Sequence, residues 1–278
     1  MFGMTVGSTR LSRELASLGV HRGAVLLVHC SLRSIGWVEG GAATLLDALL
    51  KVLGLEGTLL VPTQSASKST TSGAYLDGVA GLSGPQLERY RAEVPGFDPA
   101  TTPSEGMGAL AEAVRTHPRA ARSGHPTASF AAIGRRAVEA TGYHPYSCLL
   151  GEQSPLGWMR LVGARVLLLG VGYDKCTAFH LGEHSSVATD RSYRFKIGDD
   201  WRDVHGARQY DDADFAELGA DFEIRHKEEI VFGTVGAATC RLFPLTLAAD
   251  FAARWLPATR REGADFAVGL LEDPAYED

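Results

Sequence analysis

His180, Glu183 and His184 lie three and four residues apart, a spacing that puts all three on one face of an α-helix, where they can point at one place. An imidazole with a carboxylate beside it is a proton acceptor with an orienter, the arrangement general-base chemistry needs. The residues also spell H-x-x-E-H, the inverted zinc-protease signature, in which two imidazoles ligate Zn²⁺ and the glutamate is the base. That reading needs a third protein ligand downstream and sits oddly after a glycine-rich turn. A hydrolase triad is another reading, with Ser31 or Ser34 as nucleophile, but neither serine stands in a G-x-S-x-G elbow. The plainest reading is a solvated helix start whose glutamate offsets the helix dipole.

The elements that position these side chains are legible as a pattern. Val166-Leu-Leu-Leu169 is an unbroken apolar run suited to a doubly covered strand. Gly170 and Gly172 then allow a sharp turn, and Asp174 and Thr177 are available to cap the helix carrying His180. Upstream, residues 24–28 read as a strand, 29–36 as the loop leaving it, 41–53 as a helix and 58–61 as a second strand, a βαβ unit that predicts a parallel sheet. Residues 63–102 dissolve into Ser, Thr, Gly and Pro and read as one long functional loop. A loop at 122–129 enters a third strand ending at Ile133. Weak alternation around Gly198-Asp199-Asp200 predicts a hairpin over 193–205, with helices over 212–222 and 246–255. Loops from several strands converging at one sheet edge form the usual ligand crevice of an α/β fold. The expected architecture is one domain over 1–278, an α/β/α sandwich in three layers around a largely parallel sheet, with an antiparallel hairpin added.

Composition narrows the function. With 27 basic and 33 acidic residues the net charge is −6, which argues against a nucleic-acid binder. The absence of a long apolar run, of a signal-like start and of any C-x-x-C pair among Cys30, Cys148, Cys176 and Cys240 predicts a cytoplasmic protein with reduced thiols and no membrane partner. The acidic cluster at Asp211, Asp212, Asp214, Glu217, Asp221 and Glu223 is either a solvated helix face or a surface that attracts a polycation.

Several blocks, in order, resemble one family: residues 27–36 (LVHCSLRSIG), 57–63 (GTLLVPT), 97–104 (FDPATTPS) with Met107-Gly108, 122–132 (RSGHPTASFAA), 154–157 (SPLG) and 166–183. They are similar to the aminoglycoside 3-N-acetyltransferases, which are unrelated to the GNAT fold. The resemblance implies an antibiotic-resistance enzyme that moves acetyl from acetyl-CoA to the 3-amino group of a 2-deoxystreptamine ring, in an α/β/α sandwich without a metal. The family's histidine and glutamate fall on His180 and Glu183, as base and orienter, and its coenzyme-embracing segment on His29, Ser31, Leu32, Arg33, Ser34, Ile35 and Gly36. Backbone N–H groups of that segment, assisted by Ser31 or Ser34, are the expected oxyanion donors. His29 stays open between a structural hydrogen bond and a contact to the thioester. Arg33 and Arg122 are expected at coenzyme phosphates, with Ser129 nearby, and Asp98, Asp214, Glu217 and Glu223 at the ammonium groups of the aminoglycoside. Departures from the family are Cys30 for a common serine, Gly182 for a common alanine, and Lys175-Cys176. The alternative is a coenzyme A-dependent acetyltransferase of some other amine, or a relative that only binds the coenzyme. A homodimer is a reasonable assembly for this length.

Overall fold

A computed structural model of the chain describes residues 6–260, so the single-domain expectation over 1–278 extends outside the described residues at both ends. Helix α1 (Ser8–Ser17) leads into strand β1 (Val25–Cys30), the short helix α2 (Leu32–Ile35), α3 (Gly41–Leu53) and β2 (Thr58–Pro62). An inserted segment carries α4 (Gly73–Val79) and α5 (Gly84–Glu93) before α6 (Gly108–Arg115), β3 (Ala121–Arg122) and β4 (Phe130–Gly134). Helices α7 (Ala137–Thr141) and α8 (Pro155–Leu161) return the chain to β5 (Arg165–Leu169), followed by α9 (Phe179–Ser186). The hairpin β6 (Asp190–Ile197) and β7 (Asp200–Arg208), then α10 (Phe215–Arg225), β8 (Val231–Val235), β9 (Ala238–Pro244) and α11 (Leu245–Thr259) complete the described chain.

Strand side chains alternate between two faces, and both faces are buried. Leu27, Leu60, Val166, Leu168 and Phe243 point into a core closed by α7 to α11, whereas Leu26, Val28, Leu59, Leu167 and Leu242 meet α1, α3 and α6. The result is the expected three-layer sandwich. Its seven-stranded sheet has the order β3-β4-β2-β1-β5-β9-β8. β1 pairs parallel with β2 and with β5, forming the parallel centre, while β4, β3, β9 and β8 add antiparallel flanks. The three parallel strands bring their carboxyl ends to one edge, the side from which ligands enter such sheets.

Two local expectations change. Residues 63–102 are not a bare loop: they hold a 3₁₀ turn at Ala66–Lys68 and the helices α4 and α5, the latter opened by a Ser83/Gln86 capping box with Pro85 in its first turn. The separate β6–β7 hairpin supports this insert. Thr70 N–H donates to the Arg194 carbonyl (2.9 Å), Phe97 N–H to that of Lys196 (2.7 Å), and the buried Lys196 ammonium to the last carbonyls of α5. At the other change, α9 has no side-chain cap from Asp174 or Thr177. The chain instead winds in with backbone bonds three residues apart, from Cys176 N–H to Tyr173 O, Phe179 N–H to Cys176 O and His180 N–H to Thr177 O.

Candidate active site

The site is built where β5 ends. Gly170 leaves the strand at a φ of 69° with no room for a side chain, since a Cβ there would lie 2.5 Å from Ser34 Cβ. The tight turn that follows delivers α9, and one helical turn brings His180 and Glu183 together. His180 Nδ1 lies 2.7 Å from Glu183 Oε2, and its other ring nitrogen has no hydrogen bond among the described residues. The imidazole packs against Phe215 and edge-on to Tyr210, with ring centroids 4.6 and 5.3 Å away.

A carboxylate that is 1% exposed needs partners, and Glu183 has three. Its Oε1 accepts from Arg260 Nη1 (2.6 Å) and from the Asp211 N–H (2.8 Å), leaving Oε2 to the imidazole. His184 does not join them: its Nδ1 faces the Tyr210 hydroxyl at 2.8 Å, so the three residues on one helix face serve two different partnerships. Among the described residues no group of three or more His, Cys, Asp or Glu side chains is arranged to hold a metal.

Two cavities meet at His180. The first, about 220 Å³, lies over the ends of β1 and β2 and is lined by His29, Cys30, Met107, Lys175 and Thr177. The second, about 270 Å³, runs under the insert and is lined by Ser69, Thr71, Thr127, Leu150, Arg191 and Tyr210. Gln64, His180 and Asp212 line both. His29 is buried, and its Nε2 has no hydrogen-bond partner; burial, with His180 nearby, pulls its pKa down to about 3, so the ring is neutral. Burial, with Cys240 nearby, pushes the Cys30 thiol up to about 12, which leaves it a thiol and a poor nucleophile.

Of the segment 29–36, only His29 and Cys30 line the first cavity. Ser31, Leu32, Arg33, Ser34, Ile35 and Gly36 form α2 and its flanks, fastened to the β5 exit by Ser34 Oγ, 3.0 Å from the Gly170 carbonyl. The N–H groups of Ser31, Ser34 and Gly36 are spent on Leu169, Ser31 and Arg33 carbonyls. Arg122 donates to Ser129 Oγ (3.0 Å) and to the carbonyls of Thr63 and Thr102, with Phe97 against its guanidinium, so both it and Ser129 tie the insert to the sheet. Asp98 closes a turn on Ala100 N–H, Glu223 pairs with Arg241, Asp214 pairs with Arg260, and Glu217 is exposed in the first turn of α10. None of these four lines either cavity, whereas exposed Asp212 lines both. Gln64 and Arg260 were not singled out from sequence, and Asp212 only as a member of the acidic cluster. Gln64 carries a positional signal, two residues past the end of β2, and Arg260 carries none.

The model of the family described as aminoglycoside 3-N-acetyltransferase matches residues 27–257. The chain belongs to this family. It is 36% identical over 255 residues to the SPbeta prophage-derived aminoglycoside N(3')-acetyltransferase-like protein YokD of Bacillus subtilis strain 168, covering 88% of this chain and 90% of that one. It is 34% identical to aminoglycoside N(3)-acetyltransferase IX of Micromonospora chalcea, over 92% and 95% of the two chains. The crystal structure of YokD superposes with a TM-score of 0.85 at 33% identity, over 93% and 97% of the chains. The structure of AAC-IIIb as a binary complex with CoASH gives 0.77 at 28% identity, over 91% and 97%. AAC-VIa bound to sisomicin gives 0.75 at 27% identity, over 92% and 98%. Among the described residues of this family member, no helix is long and apolar enough to cross a membrane.

Proposed function

We propose that the protein transfers the acetyl group of acetyl-CoA to the 3-amino group of the 2-deoxystreptamine ring of an aminoglycoside, and thereby confers resistance to it. The observation that carries this reading is the junction itself: a histidine whose Nδ1 is bonded to a buried glutamate, with its other nitrogen unpaired, where two cavities meet. Such a junction suits a two-substrate transfer, with one substrate on each side of the base. Membership in the family and the coenzyme-bound neighbour support coenzyme A as the donor, and the sisomicin-bound neighbour supports an aminoglycoside as the acceptor.

In this reading the acetyl-pantetheine arm occupies the first cavity and the sugar amine the second. An ammonium has no lone pair, so the 3-ammonium first releases one proton to solvent, and His180 Nε2 takes a second from the neutral amine as it attacks. Glu183 accepts from Nδ1–H, fixes the tautomer and stabilises the imidazolium. The amine nitrogen bonds to the thioester carbon, the C–S bond breaks, and His180 passes the proton it took from the nitrogen to the leaving thiolate. Neutral His29, with a buried ring nitrogen lacking a partner, is suited to hydrogen-bond the thioester oxygen as charge gathers on it. Asp212 attracts an ammonium, while Arg191, on the lining of the same cavity, favours hydroxyls and ether oxygens of the acceptor.

Thiol release from acetyl-CoA against a panel of amines tests the reading. Aminoglycosides with a free 3-amine should release thiol, their 3-N-blocked counterparts should not, and EDTA should change neither. Equal release after blocking the 3-amine, or none with any aminoglycoside, would overturn the assignment.

A further inference from the structure

Arg260 stands at the end of α11, 77 residues from the glutamate it touches. Its Nη1 donates to Glu183 Oε1 at 2.6 Å. Its Nε and Nη2 grip the two Asp214 oxygens at 2.8 and 2.7 Å, and Nη2 also reaches the Asp211 carbonyl at 2.6 Å. The Asp211 N–H in turn donates to the same Glu183 oxygen. One planar cation therefore occupies Glu183 Oε1, leaves Oε2 for His180, and holds the Asp211 carbonyl and the Asp214 carboxylate on either side of Asp212. A lysine ammonium, a point charge, cannot reproduce this fork. Helix α11 can deliver the guanidinium because it packs directly on α9 at Gly182, where a Cβ would lie 2.3 Å from the Ala249 carbonyl oxygen.

We propose that Arg260 is a positioning residue that locks Glu183 and the Asp211–Asp214 segment into one rigid unit, so that the aim of the His180 base and the place of Asp212 are set together. The proposal rests on the reading of His180 as base and Asp212 as acceptor contact. It assigns helix α11, which lines neither cavity, a direct part in the geometry of the reaction. Without Arg260, Glu183 Oε1 would keep only the Asp211 N–H, and the segment bearing Asp212 would lose its bonds to α11.

The test compares Arg260→Met, Arg260→Lys and Asp214→Asn in the full chain, each checked for folding by circular dichroism. Arg260→Met should lower kcat roughly 10–100-fold, by analogy with the outer partners of metal-bound histidines, and leave the coenzyme Kd unchanged. Added guanidinium ion should restore part of that loss, and Arg260→Lys should remain impaired. Combining Arg260→Met with Glu183→Gln should cost little more than Glu183→Gln alone, because the arginine acts through the glutamate. A second readout needs no turnover: the downfield proton resonance of the His180 Nδ1–H, assigned by its disappearance in His180→Ala, should be lost or broadened in Arg260→Met. If Arg260→Met does not fold, Asp214→Asn, which removes one limb of the fork, is read in the same two ways. A folded Arg260 variant with wild-type kcat, a fully multiplicative double variant, or an unmoved resonance would overturn the proposal. Failure of the functional reading looks different, because then His180→Ala keeps its turnover while the resonance still reports on Arg260.

Discussion

Acidification should loosen the wall of the second cavity before it touches the carboxylates, and the size of the effect follows from two buried rings. His125 Nδ1 accepts from the Thr127 and Ala128 N–H groups (3.2 and 3.1 Å), so its proton sits on Nε2, 3.2 Å from the Tyr146 carbonyl. His144 Nε2 donates to the Leu149 carbonyl (2.8 Å), and its Nδ1 accepts from Ser123 Oγ (2.9 Å). The rings lie 4.6 Å apart; a second proton on His125 would face two N–H donors, and one on His144 would need the Ser123 hydroxyl to turn from donor to acceptor. Burial pulls His144 down to about 4, against the pull of its bonds to Leu149 and Cys148, and burial with His144 nearby holds His125 well below the ordinary range. Between about 4 and 6.5 the unfolded chain binds protons that the folded rings refuse, so stability falls as pH drops through that window and is flat above it. For His144 the window spans about 2.5 pH units at about 1.4 kcal/mol each, a full loss of ~3 kcal/mol and about 2 kcal/mol by pH 5. Urea midpoints measured from pH 7.5 to 4.5 should show this decline, and His144→Gln, which keeps a donor toward Leu149, should flatten the slope by about one proton. An unchanged slope in the variant, or a wild-type protein indifferent to this range, would refute the reasoning. Thr127, Ala128, Leu149 and Leu150 line the second cavity, so acceptor affinity should weaken over the same window.

Replacing Asp212 by Asn should raise KM for a polycationic acceptor about two- to fivefold, the scale of a solvent-exposed ion pair, and leave the coenzyme KM alone. The difference should shrink as salt is added, and equal KM values at low salt would remove Asp212 from the acceptor site. Gly182→Ala should lower the thermal midpoint. The helix-propensity gain of at most about 1 kcal/mol is set against a Cβ 2.3 Å from a backbone oxygen of α11, where overpacking costs ~1–3 kcal/mol. A midpoint at or above that of wild type would contradict the close α9–α11 contact.

Local rules carried the reading a long way where the determinants are local. The βαβ unit was visible because Leu26 to Val28 and Leu59 to Val61 are continuous apolar runs around a helix stopped by Gly54. The His180–Glu183 contact follows from helical spacing alone, and the β6–β7 hairpin turns at Gly198-Asp199 as the sequence implies. What escaped was set by tertiary pairing. An apolar run such as Phe130 to Ile133 looks the same parallel or antiparallel, so the flanks of the sheet could not be oriented. Helices α4 and α5 are short, and each begins at a Ser-Gly step that also reads as a turn, though Ser83, Pro85 and Gln86 did announce the start of α5. Arginine and aspartate in loops gave no sign of their partners. Arg122 proved to be bonded to carbonyls of two other segments, and Asp214 to an arginine 46 residues away, whereas its neighbour Asp212 lines both cavities.

The turnover of His180→Ala with acetyl-CoA and an aminoglycoside, measured beside its coenzyme Kd, tests the central claim most directly. Loss of the base should reduce kcat about 10²–10⁴-fold while the Kd stays near that of the unaltered protein. A variant that turns over at close to the wild-type rate would contradict the account, because no other imidazole lines both cavities among the described residues.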